Sequence, residues 1–154
     1  MEMGNRFLAA LAACAFSTTA LAAGPFEQFK GKMKEGMYET TMEMDIPGMP
    51  AGMGKQNMKF QNCVSAEDIE SGKVGKGKDA KAPENCEVKN FRMSGNTATY
   101  TTVCKGAHEM TADTKVTFRD SGYTMDMKMA MNQGGQVMNM TQRMEGRYMG
   151  PCRK

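Results

Sequence analysis

The chain has 154 residues, with 20 basic and 17 acidic side chains, a formal net charge of +3, five cysteines, nineteen methionines and no tryptophan. A surplus that small, spread along the chain, gives none of the basic patch that nucleic-acid binding uses. No stretch stays apolar for the roughly 20 residues a membrane-spanning helix takes, so no transmembrane anchor is expected.

At the N-terminus Arg6 precedes the apolar run Phe7 to Phe16, which gives way to Ser17-Thr18-Thr19 before Ala20-Leu21-Ala22. This is the three-part pattern of a secretory signal peptide. It divides the chain into a signal at 1–22 and one methionine-rich domain at 23–154, with the periplasm as the expected compartment. Leu11-Ala12-Ala13-Cys14 resembles a lipobox, and the alternative it offers is the same domain lipid-anchored at Cys14. The 132 residues after the signal suffice for a single domain with a modest core.

Phe26 to Met33 forms a short amphipathic segment suited to pack across an open end of the fold. From Tyr38 the pattern turns to alternation, with Tyr38, Thr40, Met42, Met44 and Ile46 on one side and Glu39, Thr41, Glu43 and Asp45 on the other. That is a half-buried strand, and it ends at the turn cluster Pro47 to Gly52. A second strand is predicted over 57–64, followed by a two-turn helix that Ser65 caps, Glu67 and Asp68 favour at its positive end, and Gly72 terminates. Gly72 to Pro83, rich in lysine, reads as a surface loop.

Strands at 86–93 and 98–104 meet at Ser94-Gly95-Asn96 in a hairpin. Two more, at 110–119 and 123–131, join at Asp120-Ser121-Gly122, and the last, 137–148, follows Asn132-Gln133-Gly134-Gly135. The fold expected is mainly β: a single antiparallel meander of about seven strands curled into an open or closed barrel, with one short helix after the second strand and an N-terminal signal helix.

Four cysteines, Cys63, Cys86, Cys104 and Cys152, follow the signal, and an even number in a small exported domain reads as two disulfides. Because Cys63 ends one strand and Cys86 begins the next, spacing favours Cys63 with Cys86 and Cys104 with Cys152. Strand parity speaks against the second bridge, and Cys63 with Cys104 is the rival.

Seventeen methionines lie beyond Ala22. Met125, Met127, Met129 and Met131 share one face of the sixth strand, and Met138, Met140 and Met144 share one face of the seventh. The plain reading is a protected core in which adaptable thioethers fill the space of leucine and valine. A second reading is Cu(I), the one cofactor the sequence suggests, held by Met125, Met127, Met129, Met138 and Met140 with His108. Thioethers suit soft ions, but neighbours at i and i+2 stand roughly 7 Å apart, so neighbouring strands would have to contribute. A third is oxidant scavenging by accessible thioethers near turns and ends, Met33, Met37, Met49, Met53 and Met149, with a methionine sulfoxide reductase as partner.

Gly72-Lys73-Val74-Gly75-Lys76-Gly77-Lys78-Asp79 imitates a phosphate-binding loop, but Asp79 stands where Ser or Thr should hold magnesium. No serine occupies a nucleophile elbow, and no catalytic set forms around the lone His108. The expectation is therefore a non-enzymatic envelope domain that holds a small apolar ligand in a curled sheet.

The segments Gly36 to Thr41, Ile46-Pro47-Gly48-Met49-Pro50, Met58-Lys59, Cys63 to Asp68, Asn85-Cys86, Ser94 to Thr97, Cys104 and Gly150-Pro151-Cys152 together resemble an exported bacterial family catalogued as domain of unknown function 3617. The resemblance implies an envelope location, a β-rich domain and two disulfides, and it brings no functional residues with it.

Overall fold

The computed structural model describes residues 24–50, 53–74, 85–106 and 109–153, with backbone alone at Gln133. The signal expected at 1–22 with Cys14, residue His108, and most of the basic loop at 72–83 lie outside the described residues.

Seven antiparallel strands form one sheet: β1 Gly36–Asp45, β2 Lys55–Val64, β3 Cys86–Ser94, β4 Thr97–Cys104, β5 Glu109–Arg119, β6 Gly122–Gln133 and β7 Gln136–Gly150. The order across the sheet is β2-β1-β7-β6-β5-β4-β3. β2 lies beside β1, each strand from β4 to β7 lies beside the one before it, and β7 then returns to β1. That is the order of an up-and-down barrel whose last seam, between β2 and β3, has not closed. The tight turns explain the regular side. Gly134 and Gly135, both at positive φ, join β6 to β7 in a two-residue hairpin. The seam instead coincides with the long connection at 65–85, which carries the only α-helix among the described residues.

That helix, α1 Ala66–Glu70, starts with a reciprocal capping box in which the Ser65 hydroxyl accepts from the Asp68 amide and the Asp68 carboxylate accepts from the Ser65 amide. The Ser65 amide and then the Ser65 hydroxyl, which also donates to the Asp68 carboxylate at 2.7 Å, hold the Asp68 carboxyl below the ordinary carboxylate range. Gly72 follows at φ 68°, where a Cβ would come within 2.6 Å of the Phe26 ring. Glycine there both ends the helix and admits the aromatic plug.

The plug is a 3-10 turn, Pro25–Phe29, that packs against α1 and against β3. Phe26 and Phe29 sit 5.3 Å apart between ring centres, Phe26 lies 5.1 Å from Tyr100, and Phe29 lies 4.8 Å from Phe118. Ile69, Val64, Val116, Tyr38 and Tyr123 complete a single core. Tyr123 lies across Gly146, its register partner on β7, where any Cβ would collide with its ring. The expected amphipathic segment thus covers one end of the sheet, as its pattern implied.

The disulfides differ from the pairing that spacing favoured. They are Cys63–Cys152 and Cys86–Cys104, with Cα separations of 5.5 and 4.0 Å. Cys63 does not meet Cys86 because the two lie at opposite edges of the sheet, and Cys104 meets neither Cys152 nor Cys63 for the same topological reason. Met37 on β1 is flanked by Cys63 on β2 and Gly150 on β7, so the tail after Pro151 crosses the start of β1 to reach Cys63.

Burial pushes the Tyr38 and Tyr100 hydroxyls up to about 12 and that of Tyr123 upward as well, from an ordinary value of 10.0. An acid whose folded value is raised contributes stability that is complete below the unfolded value and disappears as pH rises through the folded one. Urea midpoints should therefore stay level up to about pH 10 and fall between about pH 10 and 12. Tyrosinate absorbance should appear in the same interval, and its appearance well below pH 10 for all tyrosines would contradict the burial.

Candidate functional site

Alternation gives the sheet two unlike faces. On the outer face Glu39 receives Lys59 at 3.0 Å and Arg147 at 3.1 Å, linking β2, β1 and β7, while Arg143 meets Asp126 at 2.7 Å. Lys59 foremost, then Arg147, holds the Glu39 carboxyl below its ordinary range. A shallow outer groove of about 460 Å3 is bordered by Glu43, Asp45, Asp126, Lys55, Lys128 and Arg143. Its charges offset one another, so it selects no ligand sign.

The inner face is different in kind. None of the inward positions of β1, β2, β4, β5, β6 and β7 carries a charged side chain. One rung runs through every strand as Met58, Met42, Met144, Met125, Val116, Ala98 and Met93, each a direct register partner of the next. Moving away from the plug, the next rungs contain Met44, Gln142 and Met127, then Met140 and Met129, then Met138, Met131 and Met110. The last ends on Cys104 and Cys86, so its five members on five strands all carry sulfur.

Burial falls along these rungs. Met125 is 5% exposed and Met144 4%, at the level of the aromatic core. Met127, Met129, Met131 and Met140 are half-buried, Met138 is 40% exposed, and Met58, on the open edge strand, is 47% exposed. The plug covers the first end and, through Phe26 against Tyr100, the β4 end of the Met127 rung, while the β4–β5 side stays buried along its length at Cys104, Ala112, Thr114 and Val116. What remains is a neutral thioether surface over the far halves of β6, β7, β1 and β2. The methionine stripe is therefore core at one end and accessible at the other, a correction to the uniformly protected stripe that alternation suggested.

Of the residues suggested for Cu(I), Met127, Met129, Met138 and Met140 fall on this accessible surface and Met125 in the core, and His108 lies outside the described residues. Met131, on the stripe of the sixth strand, lies with the first group, and Met110 joins it through cross-strand register with Met131, a relation that no single strand's pattern displays. Among the described residues no group of three or more His, Cys, Asp or Glu side chains is placed to hold a metal. Of the methionines expected near turns, Met49, Met53 and Met149 are exposed and Met37 is half-buried, but Met33 is 7% exposed and packs into the core beside the plug.

Residues 33–152 match the model of the family described as protein of unknown function DUF3617. No curated protein and no solved structure matches the chain.

Proposed function

The chain belongs to the DUF3617 family, a membership that fixes no activity, and from the geometry of its inner face we propose that it is a non-enzymatic envelope protein that binds an uncharged apolar molecule there. The observation that carries this reading is the neutral methionine surface left uncovered beyond the plug. Contiguous apolar surface open to water usually marks a binding region, and methionine's unbranched, polarisable side chain adapts to occupants of varied shape. Two disulfides are compatible with an oxidising compartment outside the cytoplasm. No helix of the described residues is long and apolar enough to cross a membrane.

The test is binding of N-phenyl-1-naphthylamine, whose fluorescence rises on leaving water, and its displacement by long-chain alcohols. Met127→Glu places a carboxylate in the middle of the surface, and burying a charge without a partner costs several kcal/mol. Probe affinity should drop at least about tenfold, the equivalent of about 1.4 kcal/mol, with the circular dichroism spectrum unchanged. No binding by the parent protein, or equal binding by the variant, overturns the reading.

A further inference from the structure

We propose that the far end of the inner face is a soft-metal site that binds Cu(I), or Ag(I) as its chemical equivalent, through the thioethers of Met129, Met131, Met138 and Met140, with Met110 beside them. Met129 stands opposite Met140 and Met131 opposite Met138 on the β6–β7 hairpin, and Met110 faces Met131 from β5. Directly opposed residues have Cβ atoms about 4.5–5.5 Å apart, and successive rungs are about 7 Å apart. A methionine side chain has three rotatable bonds beyond Cα, so four thioethers starting from such a square can close on one ion.

Three features distinguish this from ordinary apolar packing. Beyond residue 22 the chain has seventeen methionines and no leucine, although Leu8, Leu11 and Leu21 occur before it. Leucine defines a core better because its rotamers are fewer, so its complete replacement favours a property of sulfur over volume. The square also lies at the half-buried, accessible end of the stripe, where packing demands least. Finally, the four cysteines of residues 23–154 are all in disulfides, and among the described residues the inward positions of β5, β6 and β7 carry no carboxylate, so the soft donors those strands present are neutral thioethers. Such donors suit Cu(I) and give Zn(II) or Mg(II) little to bind.

The experiment uses the purified protein with its disulfides intact and its methionines labelled at the ε-methyl with carbon-13. Titration with Ag(I) should shift the methyl resonances of the square and of Met110 while those of buried Met125 and Met144 stay in place, and Zn(II) should shift none. Competition against a Cu(I) chelator should give 1:1 binding. Replacing Met129, Met131, Met138 and Met140 together by leucine should weaken it by about 100-fold or more, beyond what loss of a single supporting partner does. Because leucine keeps the surface apolar, this variant should still bind the naphthylamine probe, which separates failure of the metal site from failure of the apolar reading and shows that the variant folds. The proposal is overturned if Ag(I) shifts no resonance, if it shifts exposed Met49, Met53 and Met149 as much as the square, or if the leucine variant retains Cu(I).

Discussion

Replacing Cys63 and Cys152 together by alanine is expected to lower the stability of the domain by about 4–5 kcal/mol, whereas the same change at Cys86 and Cys104 should cost about 3 kcal/mol. The difference follows from the chain each bridge encloses. Cys63–Cys152 spans 89 residues and Cys86–Cys104 spans 18. In the chain-entropy account the longer loop withdraws more freedom from the unfolded state, and both bridges join backbone already held close in the folded one. The longer bridge also ties the open-edge strand β2 to the C-terminal tail across the start of β1. A domain of this size has about 5–15 kcal/mol in total, so the first variant should be partly unfolded at 37 °C. With no tryptophan in the chain, urea transitions followed by far-ultraviolet circular dichroism give the two losses. A larger loss for the short bridge would show that native contacts at β3–β4 outweigh loop entropy.

The same two bridges show where local pattern stops being informative. All seven strands, the capped helix and the plug follow from alternation, a Ser-x-x-Asp cap and a short aromatic amphipathic segment, because each depends on near neighbours. Connectivity depends on register. The β3–β4 hairpin begins with Ser94 opposite Thr97 and ends with Cys86 opposite Cys104, a shift of one residue that occurs between Lys89 and Arg92. Counting back from the turn without that shift sets Cys86 against Lys105. The bulge there includes Asn90 at φ 53°, a conformation asparagine tolerates better than most residues, but one asparagine among several on the strands announces nothing. The bulge also interrupts β3 as an edge, a common defence against pairing with another chain.

The return of β7 to β1 is nonlocal in the same way. It turns methionines from four separate stretches of sequence into one row, Met58, Met42, Met144 and Met125. Single-strand reading identifies the stripes on β6 and β7 but cannot say which end the plug covers. For that reason Met33, near a turn in sequence, is buried, while Met138, within a stripe, is open.

The plug makes the second large effect. Phe29→Ala should destabilise the protein by about 3–5 kcal/mol, the range for removing a buried phenylalanine side chain. The ring is 1% exposed and touches three others, those of Phe118 at 4.8 Å, Phe26 at 5.3 Å and Phe91 at 6.1 Å between centres. These lie on β5, on the turn itself and on β3, so the cavity would open where the turn bridges toward the sheet's unclosed side, and the surrounding aromatic rings cannot collapse into it without leaving one another. Met58→Ala, on a side chain that is 47% exposed, should by contrast stay within about 0.5 kcal/mol. Urea midpoints measure both. If the plug also limits the extent of the apolar surface, Phe29→Ala should bind more naphthylamine probe than the parent under conditions where circular dichroism shows it still folded. A Phe29→Ala loss no larger than that of Met58→Ala would mean that the turn rests on the sheet without holding it together.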